Sequence, residues 1–288
     1  MTMRNIFKRK SIVNKINDIK KREKIATIGV IGGSGFYKLL EKTKELNIKT
    51  PFGKTSDKII IGFYKQKKIA FLPRHGQKHN LPPHKIPYKA NMWALKKIGV
   101  ENIISPCAAG SLQAHIKPGD FVISDHFVDR TKQRDDTFFH GPEVAHFSVT
   151  EPYCPTLKNL FYESCEKNNI SFHKKGTIVV IEGPRFSTKP ESRWFSAQGW
   201  DVVNMTQYPE VVLARELDMC IVNIALITDW DAGLEGNPEI KPVTTQEVVD
   251  VFNKNNEKIK KLIFDVIPQI PEEKNCLCWK SSEFAFIN

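Results

Sequence analysis

No stretch of this chain approaches the roughly 18 consecutive apolar residues that a membrane span requires. The apolar runs, such as residues 178–181 and 224–227, are strand-sized. An apolar leader followed by a small-residue cleavage site is also missing, so no secretory signal is expected. Six cysteines stand scattered at 107, 154, 165, 220, 276 and 278, which implies no disulfide framework. Cys276 and Cys278 form a C-x-C pair without a second pair at similar spacing. It is read as a feature of the tail, a labile redox pair, and no metal site is expected. Internal repeats and low-complexity linkers are absent after residue 24, which excludes solenoids and linker-joined arrays. The dinucleotide fingerprint G-x-G-x-x-G is lacking too, because Lys38 stands where Gly33-Ser34-Gly35 would need its third glycine.

What is present is ordinary in bulk. The chain has 288 residues, 41% hydrophobic and 26% charged, enough for one full core. The net charge of +11 is unevenly spread. Residues 1–24 hold nine basic side chains against Asp18 and Glu23, a net +7, which leaves +4 for everything after them. Residues 1–24 are therefore expected to be a solvated, disordered leader, and the body is only mildly basic; the alternative is a short helix that packs Ile6, Ile12, Val13, Ile16 and Ile19 on a neighbouring subunit. A nucleic-acid-binding protein working through that leader is the reading from a different functional class. The charge distribution disfavours it, and no nucleic-acid or membrane partner is expected.

Short β-branched runs alternate with helical patterns. Strands are expected over 25–31, 68–72, 102–105, 177–181, 202–203 and 220–227. Helices are expected over 88–98, from Pro209 to Leu217, and from a capping box at Thr244-x-x-Glu247 onward. Val248, Phe252, Ile259, Leu262, Ile263 and Val266 give this last helix its apolar face. Such alternation predicts an α/β fold with a sheet covered on both faces. Ligands in these folds bind at the carboxyl ends of strands. Ser34, Arg74-His75, Asn204-Met205-Thr206 and Asp229 all stand at such ends, far apart in sequence.

Each cluster has its own chemistry. Gly32-Gly33-Ser34-Gly35 offers inward-turning N–H groups and a hydroxyl for an anion. Arg74 and His75 offer two cationic donors, Arg74 as a planar fork for phosphate oxygens. A metal site from His75, His79 and His84 is disfavoured, since Pro82 and Pro83 break any helix that would align them. Asp229 and Asp231 place two carboxylates one residue apart. In a partly dry pocket, a carboxyl beside another has a raised pKa, the condition for donating a proton.

Seven motifs in order make the pattern specific. They are Ile31-Gly32-Gly33-Ser34-Gly35-Phe36, Arg74-His75-Gly76, residues 87–95, Glu182-Gly183-Pro184-Arg185-Phe186-Ser187, Asn204-Met205-Thr206, residues 209–216 and Thr228-Asp229-Trp230-Asp231. This series resembles the 5′-methylthioadenosine phosphorylases, within the purine nucleoside phosphorylases, over roughly residues 25–270. The resemblance implies a single α/β phosphorylase domain over 25–270, with a central mixed, partly barrel-like sheet flanked by helices, and a tail over 271–288. It implies a cytoplasmic homotrimer of purine and methionine salvage that needs no cofactor, with inorganic phosphate as co-substrate. Phosphate binding falls to Ser34, Arg74, His75, Thr206 and the turn at Cys107-Ala108. Substrate binding falls to Phe186 on the base, Met205 on the ribose, and Ser187, Thr228, Asp229 and Asp231 around the base. Thr245, and His146 of a neighbouring subunit, match positions near the 5′-methylthio group. Asp229 and Asp231 are the catalytic candidates. The implied reaction converts methylthioadenosine and phosphate to adenine and 5-methylthioribose 1-phosphate. The rival within the class is a 6-oxopurine nucleoside phosphorylase acting on inosine, guanosine or methylthioinosine.

Overall fold

The computed structural model describes residues 11–20, 24–32, 40–234, 245–273, 275–283 and 285–286. Its strands are β1 (Ile28–Gly32), β2 (Glu41–Leu46), β3 (Ile59–Tyr64), β4 (Lys67–Pro73), β5 (Asn102–Ser111), β6 (Phe121–Ile123), β7 (His126–Arg130), β8 (Phe172–His173), β9 (Thr177–Ile181), β10 (Val202–Asn204) and β11 (Cys220–Trp230). Its helices are α1 (Ile12–Lys20), α2 (Tyr88–Lys97), α3 (Pro155–Lys167), α4 (Lys189–Ala197), α5 (Gln207–Glu216) and α6 (Thr245–Val266).

The strands form one mixed sheet in the order β2-β3-β4-β1-β5-β10-β9-β7, with β11 also paired to β5 and leading on through β6 to β8. The sheet branches at β5. The amino end of β5 pairs in parallel with β1, its carboxyl end pairs antiparallel with β10, and β11 runs parallel along it. Every residue of β1 is buried, as are the first nine of β11. That explains why both read as continuous β-branched apolar runs rather than alternating ones.

Alternate side chains of these strands feed two apolar clusters on the two faces. Ile31 and Ile221 pack with Met92, Trp93 and Leu213 of α2 and α5. Val30 and Val222 pack with Phe161 of α3 and Leu262 of α6. The period-two alternation of a strand is what allows one buried run to serve both layers. The α/β class with one domain and helices on both faces is thus the architecture observed. In α5 the backbone of Tyr208 is non-helical (φ −102°, ψ 131°), so the regular helix starts at Pro209, as expected from the ring's fixed φ. In α6, Ile259, Leu262, Ile263 and Val266 are buried as the apolar face requires, while Thr244 lies outside the described residues.

One expectation about the ends needs correction. Residues 12–20 are not a disordered extension. They form α1, whose Ile16 and Ile19 are buried in the same cluster as α2 and α5. The carboxylate of Glu143 accepts from the backbone N–H of Ile12 at 2.8 Å and of Val13 at 3.4 Å, satisfying two donors of the first turn. Ile12, Val13, Ile16 and Ile19 share one helical face, as the helix alternative has it, but that face packs on the core of the same chain. The tail also folds onto the body. Ser282 donates twice to the Asp218 carboxylate, at 2.8 and 2.7 Å, and Phe286 bridges Ala145.

Ile16→Ala is accordingly expected to lower stability by about 2–4 kcal/mol, the usual cost of truncating a buried Ile. Urea denaturation followed by circular dichroism measures it. An unchanged midpoint would return residues 12–20 to the status of a dispensable leader.

Candidate active site

The residues that end β4, the second half of β5, the end of β10 and the end of β11 come together, with β11 parallel to β5 and β10 antiparallel to it. They open into a cavity of about 330 Å³, a usual size for a small-molecule site. Of the residues singled out by sequence, Arg74, His75, Cys107, Ala108, Phe186, Ser187, Met205, Thr206, Thr228, Asp229 and Asp231 line it. Ser34 and the side chain of Thr245 lie outside the described residues. His146 is not part of the cavity within one chain. It is exposed, and its backbone N–H donates to the Ala285 carbonyl at 2.7 Å.

Asp229 owes its position to a bulge. The β11–β5 register runs evenly to Ile227 opposite Ala109, then skips Thr228 and resumes with Asp229 opposite Gly110. An extra residue re-aims side chains at a strand end. Here the Thr228 hydroxyl donates to Asp229 Oδ1 at 2.7 Å. Asp229 Oδ2 approaches Gly110 so closely that a Cβ there would sit 3.2 Å from it, which leaves room for little but glycine. Burial, with the charge of Asp231 as a lesser contribution, pushes Asp229 from 3.8 up to about 6. Burial raises Asp231 as well.

Asp231 Oδ2, Ser187 Oγ and Asn204 Oδ1 are buried in the cavity without a well-formed hydrogen bond among the described residues, although the hydroxyls of Ser187 and Ser192 lie near enough to Asp231 to hold its pKa down against burial. Polar capacity left unfilled in one cavity suits a polar ligand. Met205 is set from behind by Gly183, whose φ of +67° favours glycine and whose added Cβ would come within 2.6 Å of Met205 Sδ and displace it. Phe186, 61% exposed, stands at the rim.

The phosphate end differs from the sequence picture in two respects. Arg74 is buried, and most of its fork is engaged within the protein. Nε donates to Glu210 Oε1 at 2.6 Å and Nη1 to the Pro106 carbonyl at 3.0 Å. Nη2 serves the Ile31 carbonyl, Ser105 Oγ and Glu210 Oε2. Among the described residues, one of the five guanidinium hydrogens, on Nη1, remains without a partner and is available to a ligand. His75, in turn, is not a cationic donor at neutral pH. Burial, helped by the charge of Arg74, pushes it down to about 4. Its Nδ1 lies 2.8 Å from the Leu81 carbonyl, an acceptor only, so Nδ1 carries the proton and Nε2 is free to accept. Glu210, His79, Gly110 and Asn204 belong to the site or its support and were not assigned roles from sequence. Asn204 alone carried a signal, standing at a strand end beside Met205-Thr206.

The comparisons with known proteins agree with this geometry. The family model of the phosphorylase superfamily matches residues 27–268. The S-methyl-5′-thioadenosine phosphorylase of Thermofilum pendens is 50% identical over 262 residues, covering 90% of this chain and 98% of that one. This chain belongs to the purine nucleoside and methylthioadenosine phosphorylase family. A crystal structure of a methylthioadenosine phosphorylase from an Antarctic soil metagenomic library superposes with a TM-score of 0.86 at 37% identity, covering 92% of this chain and 93% of the other. A probable 6-oxopurine nucleoside phosphorylase from Dictyoglomus turgidum is 48% identical, covering 87% of this chain and 94% of its own. Membership thus fixes the class of enzyme, and the base pocket must discriminate between 6-amino and 6-oxo substrates. No helix among the described residues is long and apolar enough to cross a membrane.

The raised Asp229 has a consequence for stability. A carboxyl whose folded pKa exceeds its unfolded one contributes stability in full below about 3.9, and loses it as pH rises through the folded value. Here the window runs from 3.8 to about 6. Asp229→Asn is therefore expected to be the more stable protein at pH 8, by about 2–3 kcal/mol from a shift of some two units. At pH 4 the advantage should vanish. Scanning calorimetry at the two pH values checks this, and a gain independent of pH would sever it from the titration of Asp229.

Proposed function

We propose that the enzyme cleaves S-methyl-5′-thioadenosine with inorganic phosphate, giving adenine and 5-methylthioribose 1-phosphate. The observation that carries the reading is the pair of raised carboxyl groups at the end of β11, with Asp229 at about 6. A 6-amino group donates hydrogen bonds and needs an acceptor, which a carboxylate supplies. A 6-oxo group would need a donor.

In the reaction a phosphate oxygen attacks C1′ as the C1′–N9 bond breaks. The bonding pair leaves with the purine, which takes a proton at N7 from Asp229. Charge on the ribosyl group is cationic midway, and the phosphate dianion beneath it serves as both nucleophile and counter-charge. Phosphate is held by Arg74 through its remaining Nη1 hydrogen, by Thr206, by the Cys107-Ala108 turn and by Ser34. Nε2 of His75 accepts a hydrogen bond from the P–OH of HPO₄²⁻, which suits a neutral imidazole. Met205 packs on the ribose and Phe186 closes over the base. Fixed donors around a dry cavity supply most of the acceleration by positioning and preorganised charge. The chemistry as written uses no metal or organic cofactor.

The same reading makes the protein a cytoplasmic homotrimer of purine and methionine salvage, in which His146 and Thr245 complete the 5′ pocket across a subunit boundary. The exposure of His146 in the single chain supports that placement. Light scattering should then give a mass near three times 32.9 kDa.

The deciding assay compares methylthioadenosine, adenosine and inosine side by side with and without phosphate. Methylthioadenosine is expected to show the highest kcat/KM, and cleavage should cease without phosphate. A preference for inosine would transfer the protein to the 6-oxopurine branch.

A further inference from the structure

The C-x-C pair does not stand alone in the folded chain. Cys154 and Cys220, remote in sequence, join Cys276 and Cys278, and the four Sγ atoms all lie within 4.8 Å of one another. No second pair stands at similar spacing in the sequence; the fold brings one up to the C-x-C pair from remote positions. Three of the four are buried and Cys276 is half-buried.

We propose that Cys154, Cys220, Cys276 and Cys278 form a tetrathiolate site for a structural zinc ion. Four sulfurs about 2.3 Å from a tetrahedral zinc are about 3.8 Å apart. Cys276 Sγ stands 3.7 Å from Cys154 Sγ and 3.3 Å from Cys220 Sγ, so one sulfur is close to two others at once. A shared central ion draws sulfurs together in that way, whereas a disulfide joins them one to one. Two backbone anchors hold the body's pair in place: Cys154 N–H donates to the Ile221 carbonyl and Cys220 N–H to the Glu101 carbonyl, each at 2.8 Å. Cys154 is the N-cap of the thirteen-residue α3, where the positive end of the helix favours a thiolate. On binding, the ion replaces the four thiol protons, which pass to solvent, and nothing is oxidised or reduced. The ion would tie the tail to the start of β11 and the start of α3, at the amino end of β11 and away from the cavity at its carboxyl end.

The test is the metal content of the full-length protein, purified without chelator from zinc-supplemented culture and measured by plasma mass spectrometry. About one zinc per chain is expected, released when a mercurial blocks the thiols. The double variant C276S/C278S should lose it, and Cys165→Ala, a buried cysteine outside the cluster, should keep it. Should the double variant fail to fold, cobalt(II) substitution of the wild type gives an independent reading, through the intense visible bands of a tetrahedral tetrathiolate. Metal-free protein overturns the proposal, whether its four thiols titrate as free or are paired as two disulfides. So does zinc that persists in C276S/C278S.

Discussion

Asp229→Asn is expected to reverse the base preference of the enzyme. The carboxylate accepts from a 6-amino group and, when protonated, supplies N7. An amide keeps the shape but turns one acceptor into a donor, and it has no proton to give. Mispairing buried polar groups in a site built for hydrogen bonds costs up to about 10⁴ in discrimination. The ratio of kcat/KM for adenosine to that for inosine should fall by orders of magnitude, with kcat for methylthioadenosine falling alongside it. Steady-state kinetics on the three nucleosides measures this. An unchanged ratio would remove Asp229 from the base pocket. The variant's expected stability at pH 8 makes the result readable, since loss of activity would then accompany a more robust fold. Sites tuned for chemistry commonly hold such unrealised stability.

The second large effect belongs to Arg74→Ala. From sequence this residue is a phosphate ligand whose removal touches binding alone. The buried pair with Glu210 adds a structural cost. Truncation leaves the Glu210 carboxylate in the core with Ser105 as its remaining partner among the contacts described. Removing one member of a buried ion pair costs about 3–5 kcal/mol. The melting temperature should drop markedly and the KM for phosphate should rise. The pairing of Arg74→Met with Glu210→Gln separates the two roles: it should recover most of the stability and little of the phosphate affinity. If the double variant stays as unstable as Arg74→Ala, the instability does not come from a stranded charge.

Most of what positions the site was legible because it is written in local chemistry. Strands β4, β9 and β11 carry β-branched runs, and their polar terminators mark the mouth of the cavity. The less legible parts depend on long-range pairing. Strand β2, which reads Glu41-Lys42-Thr43-Lys44-Glu45-Leu46, is almost wholly exposed and gains its identity only by pairing with β3. The engagement of Arg74 could not be inferred from Arg74-His75-Gly76, because its partner stands in α5. The four-cysteine cluster is not visible in the sequence for the same reason, since its ligands come from three stretches that only the fold brings together. Residues 12–20 differ again: their apolar face is regular in the sequence, but the surface it covers is built by α2 and α5, far along the chain.

The bulge at Thr228 makes the strand's residue count a determinant of its chemistry. Paired residues of neighbouring strands share a face, so the extra residue leaves Asp229 opposite Gly110 and Trp230 opposite Ser111, with Thr228 outside the ladder. Deleting Thr228 would keep those pairs in an even ladder and remove the hydroxyl that holds Asp229 Oδ1 at 2.7 Å. The length of the strand, and not the kind of any other side chain in the lining, thus decides whether this acid has a partner on its own strand.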